Sequence, residues 1–221
     1  EAIWSRRADL ETDSPNVLKI MARSAAMADA ARARLETGPV PKGAERELYE
    51  TLALFHLYHR FYPQFRATTL RALEGGAKPA RVAFYDEFAG ALRHYLAFRP
   101  GLISAPAGDE GIERGGDGAA AFDAFAAHLF ACFFQVCRAF VHIFDNIIGE
   151  AMPAARLRAA VWQSIFTHDM RRYRRALYDR MADITCLIVG PSGTGKELVA
   201  RAIGLSRYIP FDPGARAFAE E

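Results

Sequence analysis

The chain has 221 residues, of which 51% are hydrophobic and 24% charged, and these fractions are ordinary for a globular protein in water. A net charge of +2 excludes a strong basic field for nucleic acid. No run of about 18 uncharged apolar residues is present, so we expect no membrane span. The three cysteines, Cys132, Cys137 and Cys186, are odd in number and lie in apolar stretches, which predicts buried thiols in a reducing cytoplasm.

Helices are predicted over the first 150 residues. The first opens at Ser14-Pro15, with the serine as N-cap, and closes at Gly38. The second covers residues 43–76 and contains Pro63, which predicts a kink or break at this point. The third covers residues 79–101 and ends at a Pro-Gly pair. We interpret these helices as a bundle with an aromatic-rich core.

A Gly-rich, charged stretch at residues 101–119 predicts a mobile loop. The next helix, residues 121–150, is apolar nearly all round and is expected in the middle of the bundle. Its His128 and Cys132 share a helix face, which permits a metal hypothesis. We favour polar interruptions of a plain helix, because no Glu-x-x-His pair recurs. The many aromatic side chains permit a ligand pocket, although an ordinary core is the simpler interpretation.

A short helix begins at Pro153, and a basic amphipathic helix follows over residues 167–183. Its run Arg171–Arg175, "RRYRR", is interpreted as a solvated face or a subunit contact rather than a nucleic-acid site. The apolar, β-branched segment "ITCLIV", Ile184–Val189, is typical of a strand buried on both faces of a parallel sheet. The pattern therefore predicts two domains, a helical region at 1–150 and the start of an α/β domain at 151–221.

The most informative stretch follows that predicted strand and has the spacing G-x-x-x-x-G-K of a phosphate-binding loop. Its residues are Gly190, Pro191, Ser192, Gly193, Thr194, Gly195 and Lys196. Glycines let the backbone turn tightly and direct successive N–H groups at phosphate oxygens. The helix that begins here adds its partial positive charge, and the lysine adds a full one. The motif predicts binding of nucleotide phosphates.

One residue departs from the general motif. The position after the lysine is usually Ser or Thr, whose hydroxyl binds Mg²⁺, whereas here it is Glu197. We therefore expect Mg²⁺ to be held by the phosphates, water and carboxylates elsewhere.

The stretch that contains Glu197 also resembles the sequence of a known family. "GPSGTGKELVARAI" closely resembles the phosphate loop of sigma-54-dependent transcriptional activators, which are bacterial AAA+ ATPases. The likeness extends loosely over residues 163–207. It implies that Gly190, Ser192, Gly193, Thr194, Gly195, Lys196 and Glu197 cradle the phosphates, that Pro191 contributes backbone, and that Ile165–His168 lie near the base.

The resemblance implies a cytoplasmic protein that uses ATP and Mg²⁺, assembles as a ring and acts on sigma-54 RNA polymerase holoenzyme at promoter DNA. The second acidic motif and the arginine finger that hydrolysis needs in that family are missing before Glu221, so we expect an N-terminal fragment without ATPase turnover. A helical sensor region for an unknown signal would precede the truncated AAA+ unit. Two alternatives stay open: another P-loop NTPase with a helical module, and a helical ligand-sensing or interaction module without nucleotide activity.

Overall fold

The protein is mainly helical in a computed structural model that describes residues 15–75, 81–99, 102 and 118–219. The helices are α1 Pro15–Thr37, α2 Gly43–Gly75, α3 Tyr85–Leu96, α4 Gly118–Asn146, α5 Met152–Phe166, α6 Met170–Arg172 and α7 Lys196–Gly204. A π-helical turn, Tyr173–Leu177, continues α6, and a 3-10 turn follows at Met181–Asp183. Strands β1, Phe211–Asp212, and β2, Ala217–Phe218, pair antiparallel, with Phe211 opposite Phe218.

The predicted ends of the first two helices agree closely with the structure, whereas the third is shorter than predicted: α3 covers Tyr85–Leu96 and not residues 79–101. Helix α1 begins at Pro15 and ends one residue before Gly38, while the predicted N-cap Ser14 lies outside the described residues. The prediction at Pro63 was a kink or a break; the break is wrong, because α2 continues through this residue, and the kink stays a prediction. The predicted loop at 101–119 also lies outside the described residues, apart from position 102 and the first two residues of α4.

Aromatic side chains from α2, α3 and α4 form the larger core. Phe61, Phe65, Phe88 and Phe130 are completely buried. Phe65 and Phe130 have ring centroids 4.9 Å apart, and Phe88 meets Phe130 edge to face at 5.1 Å. Because close aromatic pairs add to the free energy gained from area burial, this cluster is the main stabilising feature of the bundle.

A smaller core lies at the other end of α4. Ala139 and Ile143 of α4 join apolar side chains of α5 and α7, among them Val161 and Ala202. Arg158 of α5 is also fully buried, and its Nε donates to the carbonyl of Ile147, 2.9 Å away, just beyond the end of α4. Helix α4 thus runs between both cores, as its apolar composition predicted.

The β-hairpin formed by β1 and β2 packs on the larger core of the helical region. Phe211 and Phe218 pack on Phe130, with ring centroids 4.6 Å and 5.9 Å away. The amide of Val82, before α3, donates to the carbonyl of Arg216 at 2.8 Å. These contacts join residues from both predicted ranges, 1–150 and 151–221, and the division into two domains stays a prediction.

Helix α4 is long and apolar enough to cross a membrane by length and composition alone, over Ala119–Asn146. However, 67% of its most apolar window is buried inside the protein. A helix in the core of a protein is buried in the same way, so length and composition are weak evidence for a membrane span.

Candidate phosphate-binding site

The segment before the loop differs from the prediction. Residues 185–190 are neither helix nor strand, and Ile184, Leu187 and Val189 are 58%, 84% and 78% exposed. A strand requires a neighbour for its backbone hydrogen bonds, and among the described residues β1 and β2 pair only with each other. The predicted buried strand of a parallel sheet is therefore not formed.

The loop itself has the glycine-dependent conformation that the motif predicts. Gly193 and Gly195 both have φ of +77°, in the left-handed region that other residues avoid. Gly195 is the N-cap of α7, whose first helical residue is Lys196. A methyl group on Gly193 would meet no atom within 4 Å, so its backbone angle, not lack of space, selects glycine.

Successive backbone amides of the loop are available to a ligand. Within the described part of the chain, the N–H groups from Ser192 to Glu197 donate to no backbone or side-chain acceptor. Residues 190–194 are also exposed to solvent. Free N–H groups at a left-handed turn and at a helix N-terminus form the concave donor set that binds anions.

Lys196 folds back over the loop. Its Nζ donates to the carbonyl of Gly190 at 3.1 Å and to the carbonyl of Pro191 at 2.6 Å. Thr194 closes the turn from the other side, since its Oγ1 donates to the same Pro191 carbonyl at 2.9 Å. The ammonium group is therefore held at the loop, where it can bind a phosphate oxygen by exchanging weak carbonyl partners for a charged one.

The site offers little protein ligation to a metal. Glu197 is exposed in the first turn of α7. Among the described residues, no group of three His, Cys, Asp or Glu side chains is arranged to hold a metal ion. The residues present fit a polyphosphate anion, and Mg²⁺ would have to arrive with the nucleotide that it coordinates.

A stripe of polar side chains lies along α4, and three of its four members contact segments that precede or follow the loop. The stripe consists of His128, Gln135, Arg138 and His142, whose spacing of 7, 3 and 4 residues keeps them on one side of a helix. Gln135 and Arg138 donate to backbone carbonyls that follow α7, at Ser206, Leu205 and Arg207. Sequence reasoning missed this role, and the spacing on an otherwise apolar helix was the signal that could have found it.

His128 is a structural residue rather than a metal ligand in this arrangement. Its ring nitrogens lie 2.8 Å from the hydroxyl of Tyr208 and 2.8 Å from the carbonyl of Arg174. Because the carbonyl can only accept, Nε2 carries the proton and the tyrosine hydroxyl donates to Nδ1. Burial lowers the pKa of His128 and raises that of the neighbouring Cys132 thiol to about 12. Both groups are therefore neutral near pH 7.

Three of the four arginines in the run at residues 171–175, which covers the end of α6 and the π-helical turn, form intramolecular ion pairs, while Arg172 is exposed. Arg174 and Arg175 both contact the carboxylate of Glu50 on α2, and Arg171 pairs with Glu47 one turn earlier. The side chains of Glu50 and Arg174 are only 3% and 10% exposed. The partners lie over 120 residues apart in sequence, so a local charge pattern could not identify them.

The segment expected near a nucleotide base lies at the end of α5. Ile165 and Phe166 are buried in the smaller core, together with Val199 of α7, whereas His168 is exposed. Thr167 between them has φ of +64° and ψ of −178°, which is a strained conformation for a residue with a side chain. The structure brings residues 165 and 166 to the same cluster as α7.

The comparisons with known proteins identify no relative. No family model, no curated protein and no solved structure matches this chain.

Proposed function

We propose that the chain binds the phosphates of ATP at Gly190–Glu197. The observation that carries this proposal is the set of free amides from Ser192 to Glu197 at the N-terminus of α7. Two left-handed glycines shape it, and the ammonium group of Lys196 is hydrogen-bonded to the Gly190 and Pro191 carbonyls of the same loop. Together they supply backbone donors, a helix N-terminus and a full positive charge to one anion.

The proposal extends to the family that the motif resembles. In it, residues 184–204 correspond to the first β-loop-α unit of an AAA+ domain, and residues 184–189 become a strand when a neighbouring strand is supplied. The protein would then be a cytoplasmic sigma-54-dependent regulator that forms rings, uses ATP with Mg²⁺, and acts on RNA polymerase holoenzyme at promoter DNA. The exposed apolar side chains of Leu187 and Val189 support this part, because such side chains are buried in a complete sheet.

Titration calorimetry with the ATP analogue AMP-PNP and Mg²⁺ tests phosphate binding. The 221-residue chain is compared with Lys196→Ala and with Lys42→Ala, which removes an exposed lysine far from the loop in sequence. We expect Lys196→Ala to weaken binding about tenfold to a hundredfold, because a charge-assisted contact is lost. Lys42→Ala should bind as the parent chain does. Equal affinities in all three chains, or no binding by the parent, would contradict the proposal.

Phosphate release measures turnover separately. We expect none above background from the chain alone, since the described residues hold no set of acidic side chains placed to bind a catalytic metal ion. Rapid ATP hydrolysis that Lys196→Ala abolishes would contradict this expectation.

A graft tests the family assignment. Residues 184–204 replace the corresponding segment of an established sigma-54-dependent activator, and transcription from its promoter is measured in cells. We expect the graft to retain activation and its Lys196→Ala version to lose it. A graft that is expressed and folded but inactive would contradict the assignment to this family, even if the chain binds AMP-PNP.

A further inference from the structure

The backbone that follows α7 is held by two side chains of α4. Gln135 Nε2 donates to the carbonyl of Ser206 at 3.0 Å. Arg138 donates through Nη2 to the carbonyl of Leu205 at 2.9 Å and through Nη1 to that of Arg207 at 3.2 Å. Three consecutive carbonyls thus receive donors from a single helix that begins at residue 118.

Both donor side chains are buried and fixed in orientation. Gln135 is 2% exposed and Arg138 is 6% exposed. The hydroxyl of Tyr173 donates to Gln135 Oε1 at 2.8 Å, which directs the amide nitrogen of Gln135 toward Ser206. The guanidinium carbon of Arg138 lies 5.6 Å from the centre of the Phe134 ring. Side chains held in this way restrict the position of the backbone that they bind.

The other end of α7 is the phosphate loop. Helix α7 has nine residues, so its ends are about 13 Å apart at a rise of 1.5 Å per residue. Carbonyls at a helix C-terminus lack intrahelical donors, and a cation there interacts favourably with the helix dipole. Because the helix is short and Val199 and Ala202 are buried, we expect a displacement of its C-terminus to move Lys196 as well.

We propose that Gln135 and Arg138 are positioning residues for the phosphate loop, and that α4 controls nucleotide affinity through them. The proposal rests on the proposed binding of ATP phosphates at Gly190–Glu197. It gives the helical region a physical route to the nucleotide site: a change that shifts or rotates α4 moves the donors that anchor α7.

Two measurements on the 221-residue chain test the proposal, with the variants Arg138→Met and Arg138→Lys. The first is AMP-PNP affinity by titration calorimetry at a temperature where all chains are folded. The second is hydrogen exchange of the α7 amides without nucleotide, which requires no ligand. Arg93→Met is the matched control, since Arg93 makes a surface ion pair with Asp123 and its side chain is 56% exposed.

We expect Arg138→Met to weaken AMP-PNP binding about tenfold and to accelerate exchange in α7, while exchange in α2 stays unchanged. Arg138→Lys should recover part of the affinity, because its ammonium group can donate to one of the carbonyls. Arg93→Met should change neither quantity. A merely structural role would lower the unfolding midpoint of Arg138→Met and leave the affinity of the folded protein unchanged.

Unchanged affinity in Arg138→Met, whatever its exchange, would overturn the positioning role. If neither the parent chain nor Lys196→Ala binds AMP-PNP, the proposed function fails instead. Hydrogen exchange then decides whether the anchor exists: faster α7 exchange in Arg138→Met supports it, and unchanged exchange overturns it.

Discussion

Two apolar stretches of this chain, each with a cysteine in the middle, have opposite environments. Residues 130–134, "FACFF" on α4, are all buried. Residues 184–189, "ITCLIV", leave Leu187 84% exposed and Cys186 exposed, so the predicted burial of the thiols is wrong for this cysteine. Both sequences are hydrophobic enough for a core, so apolar composition alone does not explain the difference.

The difference lies in where each backbone finds its hydrogen bonds. A helix satisfies its N–H and C=O groups internally, so the side chains of α4 need only neighbouring helices to cover them. An extended segment needs another strand first. The comparison teaches that residues 184–189 are apolar enough for a core but have no partner strand within the described part of the chain. One pair of variants below tests this directly, and three more pairs compare other buried or constrained positions with exposed ones.

The largest effect is expected at the ion pair that joins α2 to the segment leading to the loop. Glu50→Gln leaves Arg174 and Arg175 without their shared carboxylate, and Arg174 is nearly buried. We expect a loss of about 3–5 kcal/mol in the free energy of unfolding, measured by urea denaturation. Glu87→Gln, which breaks an exposed pair with Arg60, should cost under about 1 kcal/mol. Equal losses would contradict the role of the buried pair.

The same substitution in the two regions tests the comparison directly. Leu57→Ala removes a completely buried side chain of α2 and should cost about 2–5 kcal/mol. Leu187→Ala removes one that is 84% exposed and should change the free energy of unfolding by less than about 0.5 kcal/mol. Urea denaturation measures both. A large loss for Leu187→Ala would mean that residues 184–189 are covered after all.

Acid should weaken the smaller core through His142. Burial, aided by the charge of Arg138, lowers the pKa of this histidine to about 4, from 6.5 in the unfolded chain. Between pH 4 and pH 6.5, the unfolded state therefore binds more protons at this histidine than the folded state does. The stabilisation is complete above pH 6.5 and is lost as the pH falls to about 4. Burial also lowers the pKa of His56, His59 and His128, which adds to the acid sensitivity.

The variant His142→Gln isolates this contribution. Its free energy of unfolding should fall less than that of the parent between pH 7 and pH 4, by on the order of 2 kcal/mol. His168→Gln, which replaces an exposed histidine, is the control and should behave as the parent does. Parallel pH profiles of all three chains would rule out a neutral buried His142.

The smallest effects are expected at two glycines, with opposite signs. Gly193→Ala forces a side chain into the left-handed region and should cost about 1 kcal/mol. Gly90→Ala lies inside α3, where an added methyl group meets no atom within 4 Å, and should gain about 0.5–1 kcal/mol. Thermal unfolding followed by circular dichroism measures both. A stabilising Gly193→Ala would show that the loop does not need its left-handed turn.

Local features could be predicted from the sequence. Pro15 and Gly38 bracket α1 because proline and glycine act on their own backbone angles. The spacing from Gly190 to Lys196 likewise predicted a glycine turn followed by a helix, and both are present. The break at Pro63 was wrong, since loss of one backbone donor did not interrupt a helix whose flanking residues Phe61 and Phe65 are anchored in the core.

Features that depend on distant partners could not be predicted in the same way. The strand prediction at 184–189 used the correct local pattern but assumed a neighbouring strand. The arginines at 171–175 were interpreted as a solvated face or a subunit contact, because the partners Glu47 and Glu50 precede them by more than 120 residues. Similarly, no role was predicted for Gln135 and Arg138 of α4, because their acceptors lie about 70 residues later.

Helix α4 has a consequence for cooperativity. Its first half supplies Phe130 to the larger core and its second half supplies Ile143 to the smaller one. If either core unfolds, one half of α4 is exposed. The backbone hydrogen bonds of this helix run continuously through both cores, so the two halves should unfold together. Heating should therefore give a single endotherm whose calorimetric and van't Hoff enthalpies agree. A substitution that destabilises the larger, aromatic core should then lower the fraction of folded molecules as a whole. It should therefore also lower the fraction in which α7 and its loop are formed.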